Sequence, residues 1–234
     1  MSASVKQFRQ LPLALQLRNP TRLQDFVAGE NAAVLELLEQ QRSLAEPLLY
    51  LCGEPASGRS HLLLGQCASA QDQGLQVAYL PGGQHAELHP QLLEGLEQLD
   101  LVAIDDVDRL AGQADWELAL FNLFNRARAE NCRLLFSARE IPAQAGFELP
   151  DLRSRLAWGI SYRLQPLGDE NLEHWLISLA QRRGLDMPED VARYLLTRHS
   201  REQASLLALL DRLDRDSLAE QRRLSIPFVR TRLA

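Results

Sequence analysis

Lysine is nearly absent from this chain of 234 residues: Lys6 is the single one, and the rest of its basic charge is arginine. An arginine standing where lysine is usual therefore carries less information here than elsewhere. Acids outnumber bases, 31 to 25, for a formal net charge of -6. That balance argues against a surface that grips duplex DNA by neutralising phosphates, which needs a concentrated basic face. Cysteine is scarce, and Cys52, Cys67 and Cys132 sit in apolar stretches with no C-x-x-C spacing. Neither a disulfide framework nor a zinc site follows, and buried thiols in a reducing cytosol are expected. His85, His89, His174 and His199 lack metal-ligand spacing. No apolar run approaches the roughly 18 residues of a membrane span, and no charged start precedes a short apolar run. A cytoplasmic protein with no membrane partner is expected. Internal repeats and low-complexity tracts are missing as well.

What is present suffices for a sizeable α/β core with a small helical lid: 46% of residues are hydrophobic and 24% charged. Residues 1 to 24 differ from the rest. Leu11, Leu13, Leu15 and Leu17 alternate with other residues, and Pro12 and Pro20 disfavour helix. An extended arm over 1–21 is predicted. From Phe26 the pattern becomes regular: a helix at about 31–43, a buried strand at 48–52, a glycine loop and a helix from Ser60 to about Gln73. A strand at 76–80, a helical stretch at about 88–98 and an apolar strand at 101–105 follow. A helix at about 114–130 and a strand at 133–138 complete the alternation, which predicts a parallel sheet flanked by helices across 22–166. Phe121, Phe124 and Phe136 recur at core spacing. After "SYRLQPL" the pattern is helical alone, at about 169–183, 188–198, 201–212 and 226–233, giving a lid over 167–234.

The loop "GEPASGRSH" (53–61) carries the chemistry. Glycines in G-x-x-x-x-G-K-[ST] let backbone N–H groups close around phosphate oxygens. The next helix offers its N-terminus, a cation reaches the terminal phosphates and a hydroxyl ligates magnesium. Gly53, Gly58 and Ser60 fill those roles, with Arg59 in the lysine's place. Its planar fork binds phosphate in bidentate fashion but cannot occupy the same point as an ammonium. A strand-to-helix glycine turn can be plain punctuation, yet the strand before, the helix after and the acidic strand end further on all fall where a phosphate-binding fold needs them. That strand end, "LVAIDDVD" (101–108), offers Asp105 to magnesium and Asp106 to position water, the alternative being a solvated acidic turn. Ser60 and Asp105 are thus the candidate Mg2+ ligands. His61 has no acid–histidine–nucleophile set beside it and reads as a packing or surface histidine.

Together, "DFVAGENAAVL" (25–35), "GEPASGRSHLL" (53–63), "LVAIDDVD", "LPDLRSRLAWG" (149–159) and "LSIPFVRTRL" (224–233) resemble the AAA+ module of the bacterial replication initiator DnaA. The resemblance runs from about residue 22 to the end. A stand-alone module with a short "QLPLAL" arm, without further N-terminal domains or a helix-turn-helix domain, is similar to the DnaA-related regulatory inactivators within that family. The resemblance implies a P-loop AAA+ fold holding ADP, with Phe26, Val27, Gly29, Ser57 and His61 added to the nucleotide contacts. It also implies two partners, DnaA and the DNA-loaded sliding clamp of the replicative polymerase, with DNA met through the clamp. Gln10 would anchor the arm, with Leu11, Leu13 and Leu15 in an apolar groove, an extended peptide whose proline lowers the ordering cost of binding. An arm packed on its own domain, a loose terminus or pairing between copies into a homo-oligomer stay open. The arginine finger falls on Arg155, lent in trans to the nucleotide of DnaA, with Arg153 as a second contact and Trp158 expected in the core.

Two positions depart from the family pattern. Arg139 stands where DnaA has a sensor aspartate. Ala204 stands where the lid supplies its sensor arginine, with Arg201 less than one helical turn earlier as the candidate substitute. Both departures weaken hydrolysis in cis, so the chain is expected to hold a nucleotide and to activate its partner's ATPase. Two rivals remain: an autonomous ATPase of helicase-loader type, and a DNA-binding module using the arginines near 222–232.

Overall fold

The computed structural model describes residues 21–220 and 222–233. The proposed clamp contacts Gln10, Leu11, Leu13 and Leu15 lie outside the described residues.

Five parallel strands form one sheet in the order β2-β3-β4-β1-β5: β1 (Leu48–Cys52), β2 (Val77–Pro81), β3 (Leu101–Asp105), β4 (Arg133–Ala138) and β5 (Ile160–Arg163). Every residue of β1 and β3 is buried, as an apolar strand covered on both faces requires. Alternate residues serve opposite layers. Leu49, Leu51, Ala103 and Leu135 pack under α1 (Ala32–Glu39) and α2 (Arg59–Asp72), meeting Val34, Leu38 and Leu63. Leu48, Tyr50, Ile104 and Phe136 face α3 (Ala114–Glu130) and α4 (Pro150–Trp158), meeting Leu120, Phe124 and Leu156. Each fully buried leucine contributes about 1.5–3 kcal/mol relative to exposure. Pairing of Cys52 with Ala138 and of Ile104 with Phe136 brings the C-terminal ends of β1, β3 and β4 to one edge. Loops at this edge of a parallel sheet are where such folds place their sites.

Four helices make the lid: α5 (Asp169–Arg182), α6 (Glu189–Arg198), α7 (Gln203–Glu220) and α8 (Ile226–Leu233). Leu172, Leu176 and Ala180 are buried at helical spacing along α5, and Leu176, Leu195, Leu210 and Phe228 share a separate core. No helix among the described residues is long and apolar enough to cross a membrane.

Three local expectations are corrected. The helical stretch at 88–98 is two 3-10 turns, Pro90–Leu93 and Leu96–Gln98, broken by Gly95 at φ 83°. α7 runs past the expected end at 212 because Leu213 is still buried in the lid core. Trp158, expected in the core, is 43% exposed: Leu152 and Leu156, four apart, take the inward face of α4, and a residue two positions beyond Leu156 points the other way.

Candidate functional site

The loop after β1 is shaped by close approach. Gly58 adopts φ +96°, and a Cβ there would meet the Phe26 ring at 2.5 Å. A Cβ on Gly53 would sit 2.9 Å from Ser57 Oγ. α2 begins at Arg59, so its unpaired first-turn N–H groups open toward the loop. A cleft of about 300 Å³ lies over it, with Phe26, Val27, Ser57, Gly58, Arg59, Ser60 and His61 on one wall. The opposite wall belongs to the lid: Trp175, Leu179, Arg182, Gln203 and Leu207.

The polar atoms of this cleft point to an anion. Arg59 is 8% exposed; its Nη2 lies 3.1 Å from Asp106 Oδ1, and its Nη1 has no partner among the described residues. Ser57 Oγ is likewise buried without a partner. Each such group costs about 1–3 kcal/mol, relieved by phosphate oxygens at a helix N-terminus. A nucleotide phosphate therefore fits the loop.

A divalent cation fits less well. Ser60 lines the cleft, whereas Asp105 lies outside its walls. Asp105 is buried, its Oδ1 accepting from the Ser137 hydroxyl and its Oδ2 from the Tyr79 hydroxyl at 2.8 Å. Burial and the Asp105 charge push the Tyr79 phenol upward, so it stays a donor. Asp106 adopts φ 48° and donates its N–H to Ser137 Oγ at 2.9 Å. Burial raises its carboxyl above the ordinary value, and Arg59 opposes the shift. No group of three or more His, Cys, Asp or Glu able to hold a metal occurs among the described residues.

Other candidates fall into place around the cleft. Gly29, at φ +52°, packs toward Leu167 and Asn171; it, Gly53, Asp105 and Asp106 stand outside the walls. His61 Nε2 bonds the Arg22 carbonyl at 2.9 Å and its ring lies 5.8 Å from Phe26, a packing role, with burial lowering its pKa. Arg139 is exposed, its backbone N–H donating to Asp108 at 3.3 Å. Arg201 is paired with Asp169 and away from the cleft. The lid instead presents Gln203, buried beside Ala204, and Arg182 from α5, whose Nη1 donates to the Asp25 carbonyl at 3.3 Å. Neither of these two was singled out from the sequence; α7 turns Gln203 and Leu207, four apart, toward the cleft.

Arg155 sits elsewhere. It is half-buried on α4 and does not line the cleft. Its Nε donates to Asn125 Oδ1 at 3.0 Å, and its guanidinium stacks 4.0 Å from the Trp158 ring centroid. Arg128 lies 5.1 Å from the same ring, and Arg153 is exposed nearby. Glu117, 2% exposed, anchors α4: its carboxylate accepts from the N–H groups of Gly112 at 2.7 Å, Glu148 at 3.0 Å and Leu149 at 2.6 Å.

A glycine loop between strand and helix, an acidic strand end beside it and a helical lid across the cleft define a P-loop module of the AAA+ class. The chain belongs to the bacterial DnaA ATPase-domain family, whose model matches residues 22–163, and residues 169–233 match the lid domain of Hda. It is a DnaA-related replication regulator by family. Among solved structures it is similar to domain III of the replication initiation protein DnaA from Thermotoga maritima, with 19% identity, TM-score 0.73, and 90% of this chain and 95% of that one covered. It is similar also to AMPPCP-bound DnaA from Aquifex aeolicus, with 22% identity, TM-score 0.67 and coverage of 87% and 70%. The Holliday-junction branch migration motor RuvB of Thermotoga maritima matches at 20% identity and TM-score 0.63, covering 91% and 70%. At these identities the likeness speaks to the fold alone.

Proposed function

We propose that the chain is a negative regulator of replication initiation that holds ADP and, tethered through its N-terminal arm to the DNA-loaded sliding clamp, stimulates hydrolysis of DnaA-bound ATP. Arg155 is the group lent in trans. The observation that carries this reading is its placement: a half-buried guanidinium outside the chain's own cleft, held by Asn125 and Trp158 at the rim of α4. An arginine fixed there is of no use to a nucleotide in cis and is available to a docked neighbour. In trans it stabilises charge developing on the transferred phosphoryl group. The cleft itself suits retention. Its lid wall presents Gln203, the neighbouring Ala204 stands where a sensor arginine is usual in the family, and Asp106 is tied to Arg59, so little hydrolysis in cis is expected.

Mixing the protein with DNA-loaded clamp and ATP-bound DnaA, then measuring phosphate release, tests the proposal. Arg155→Ala is expected to lower the stimulated rate by about 10³-fold or more with clamp binding intact. Gln10→Ala is expected to lose clamp binding while keeping its fold. Undiminished stimulation by Arg155→Ala would remove the assigned role, and robust ATP turnover by the chain alone would favour an autonomous ATPase.

A further inference from the structure

We propose that Arg59 stands in for the divalent cation at this cleft, so that the chain binds a nucleoside diphosphate without needing Mg2+. The inference rests on the nucleotide reading above and concerns what neutralises the phosphates.

A P-loop metal is held between the loop hydroxyl and the acid at the strand end, and Mg2+ demands near-octahedral oxygen ligation. Here the acid of that pair is already engaged by the sheet. Ser60 faces the cleft, while both oxygens of Asp105 accept hydroxyl protons, one from β4 and one from β2. Hydroxyls from both neighbouring strands thus hold the carboxylate within the sheet. The adjacent acid is engaged too, since Asp106 pairs with Arg59 at 3.1 Å.

That ion pair gives the guanidinium a fixed direction. A planar fork places one nitrogen on an anchor while another reaches elsewhere, which a compact ammonium cannot do. Asp106 holds Nη2, and Nη1, more than nine-tenths buried with its side chain, is left without a partner on the cleft wall. Ser57 Oγ, also unpartnered, lies on the same wall. Two buried donors and the first turn of α2 meet a diphosphate with positive charge already in place. The acid that would position water has become the anchor of the phosphate-binding arginine.

The test uses the full chain stripped of nucleotide and titrated with ADP in excess Mg2+ and in EDTA. Binding is read calorimetrically and from Trp175 emission, because that indole lines the cleft. The expected dissociation constants agree within about threefold between the two conditions. Arg59→Lys is expected to bind about tenfold more weakly in EDTA and to recover when Mg2+ is added. A wild-type affinity that falls about tenfold or more in EDTA overturns the proposal, whatever the variant does. Failure to bind ADP in either condition overturns the nucleotide reading and this inference with it. The wild-type comparison needs no substitution, so it decides even if a melting curve shows Arg59→Lys to be unfolded.

Discussion

His61 shows how one side chain ties the loop to the entry of the domain. Its imidazole is half-buried against Phe26 and bonded to the Arg22 carbonyl, and partial burial holds its pKa below the ordinary 6.5. The unfolded chain therefore takes up a proton near pH 6.5 that the folded chain refuses. The stability this group contributes is fully present above that value and is lost as pH falls through the lower folded value. Melting temperatures measured from pH 7 downward are expected to decline, and His61→Gln to flatten part of that slope. Gly58 is stricter. Alanine there meets both a left-handed φ and the Phe26 ring, so Gly58→Ala is expected to cost about 1–3 kcal/mol in urea unfolding and to abolish ADP binding.

At the scale of the element, α4 owes its place to a residue on α3. Glu117 accepts three backbone N–H groups, two of them from Glu148 and Leu149 at the start of α4. Glu117→Ala leaves three part-buried backbone donors unmatched and is expected to lose about 1–3 kcal/mol in denaturant titration, with DnaA stimulation falling in parallel because Arg155 rides on α4. Sequence periodicity reached β1 to β4 and α3 because their apolar residues repeat over whole elements, and it missed β5, whose mostly exposed residues form no apolar run. It could not reach this cap: an acid within an amphipathic helix looks like any exposed glutamate until the chain returns some thirty residues later. The same limit explains the lid wall. Gln203 and Arg182 have no loop signature, and their facing toward the cleft depends on how α5 and α7 pack. The stretch 88–98 misled for a local reason, since its leucines repeat as in a helix while Gly95 takes a left-handed turn. At the phosphate loop, by contrast, glycine spacing dictates backbone shape directly, and the residues named there line the cleft apart from Gly53.

Across the whole molecule, the cleft joins two separately cored units. The sheet with its helices has hydrophobic clusters on both faces, and the lid has another of its own. Ligand binding at the shared wall couples their stabilities. With ADP at about 100 times its dissociation constant, the chain is expected to gain about 2.7 kcal/mol against unfolding, read by denaturant titration. Proteolytic cleavage between Leu164 and Asp169, where sheet passes into lid, is expected to slow under the same conditions.

The three tryptophans divide the molecule into optical districts. Trp116 is sealed in the core, Trp175 borders the cleft, and the exposed Trp158 has two guanidiniums close to its ring. Drawing Arg155 off the Trp158 ring toward another molecule removes a positive charge from the indole face. Its emission colour would then register the arrival of a partner on a channel separate from nucleotide occupancy, giving each of the two events a native label.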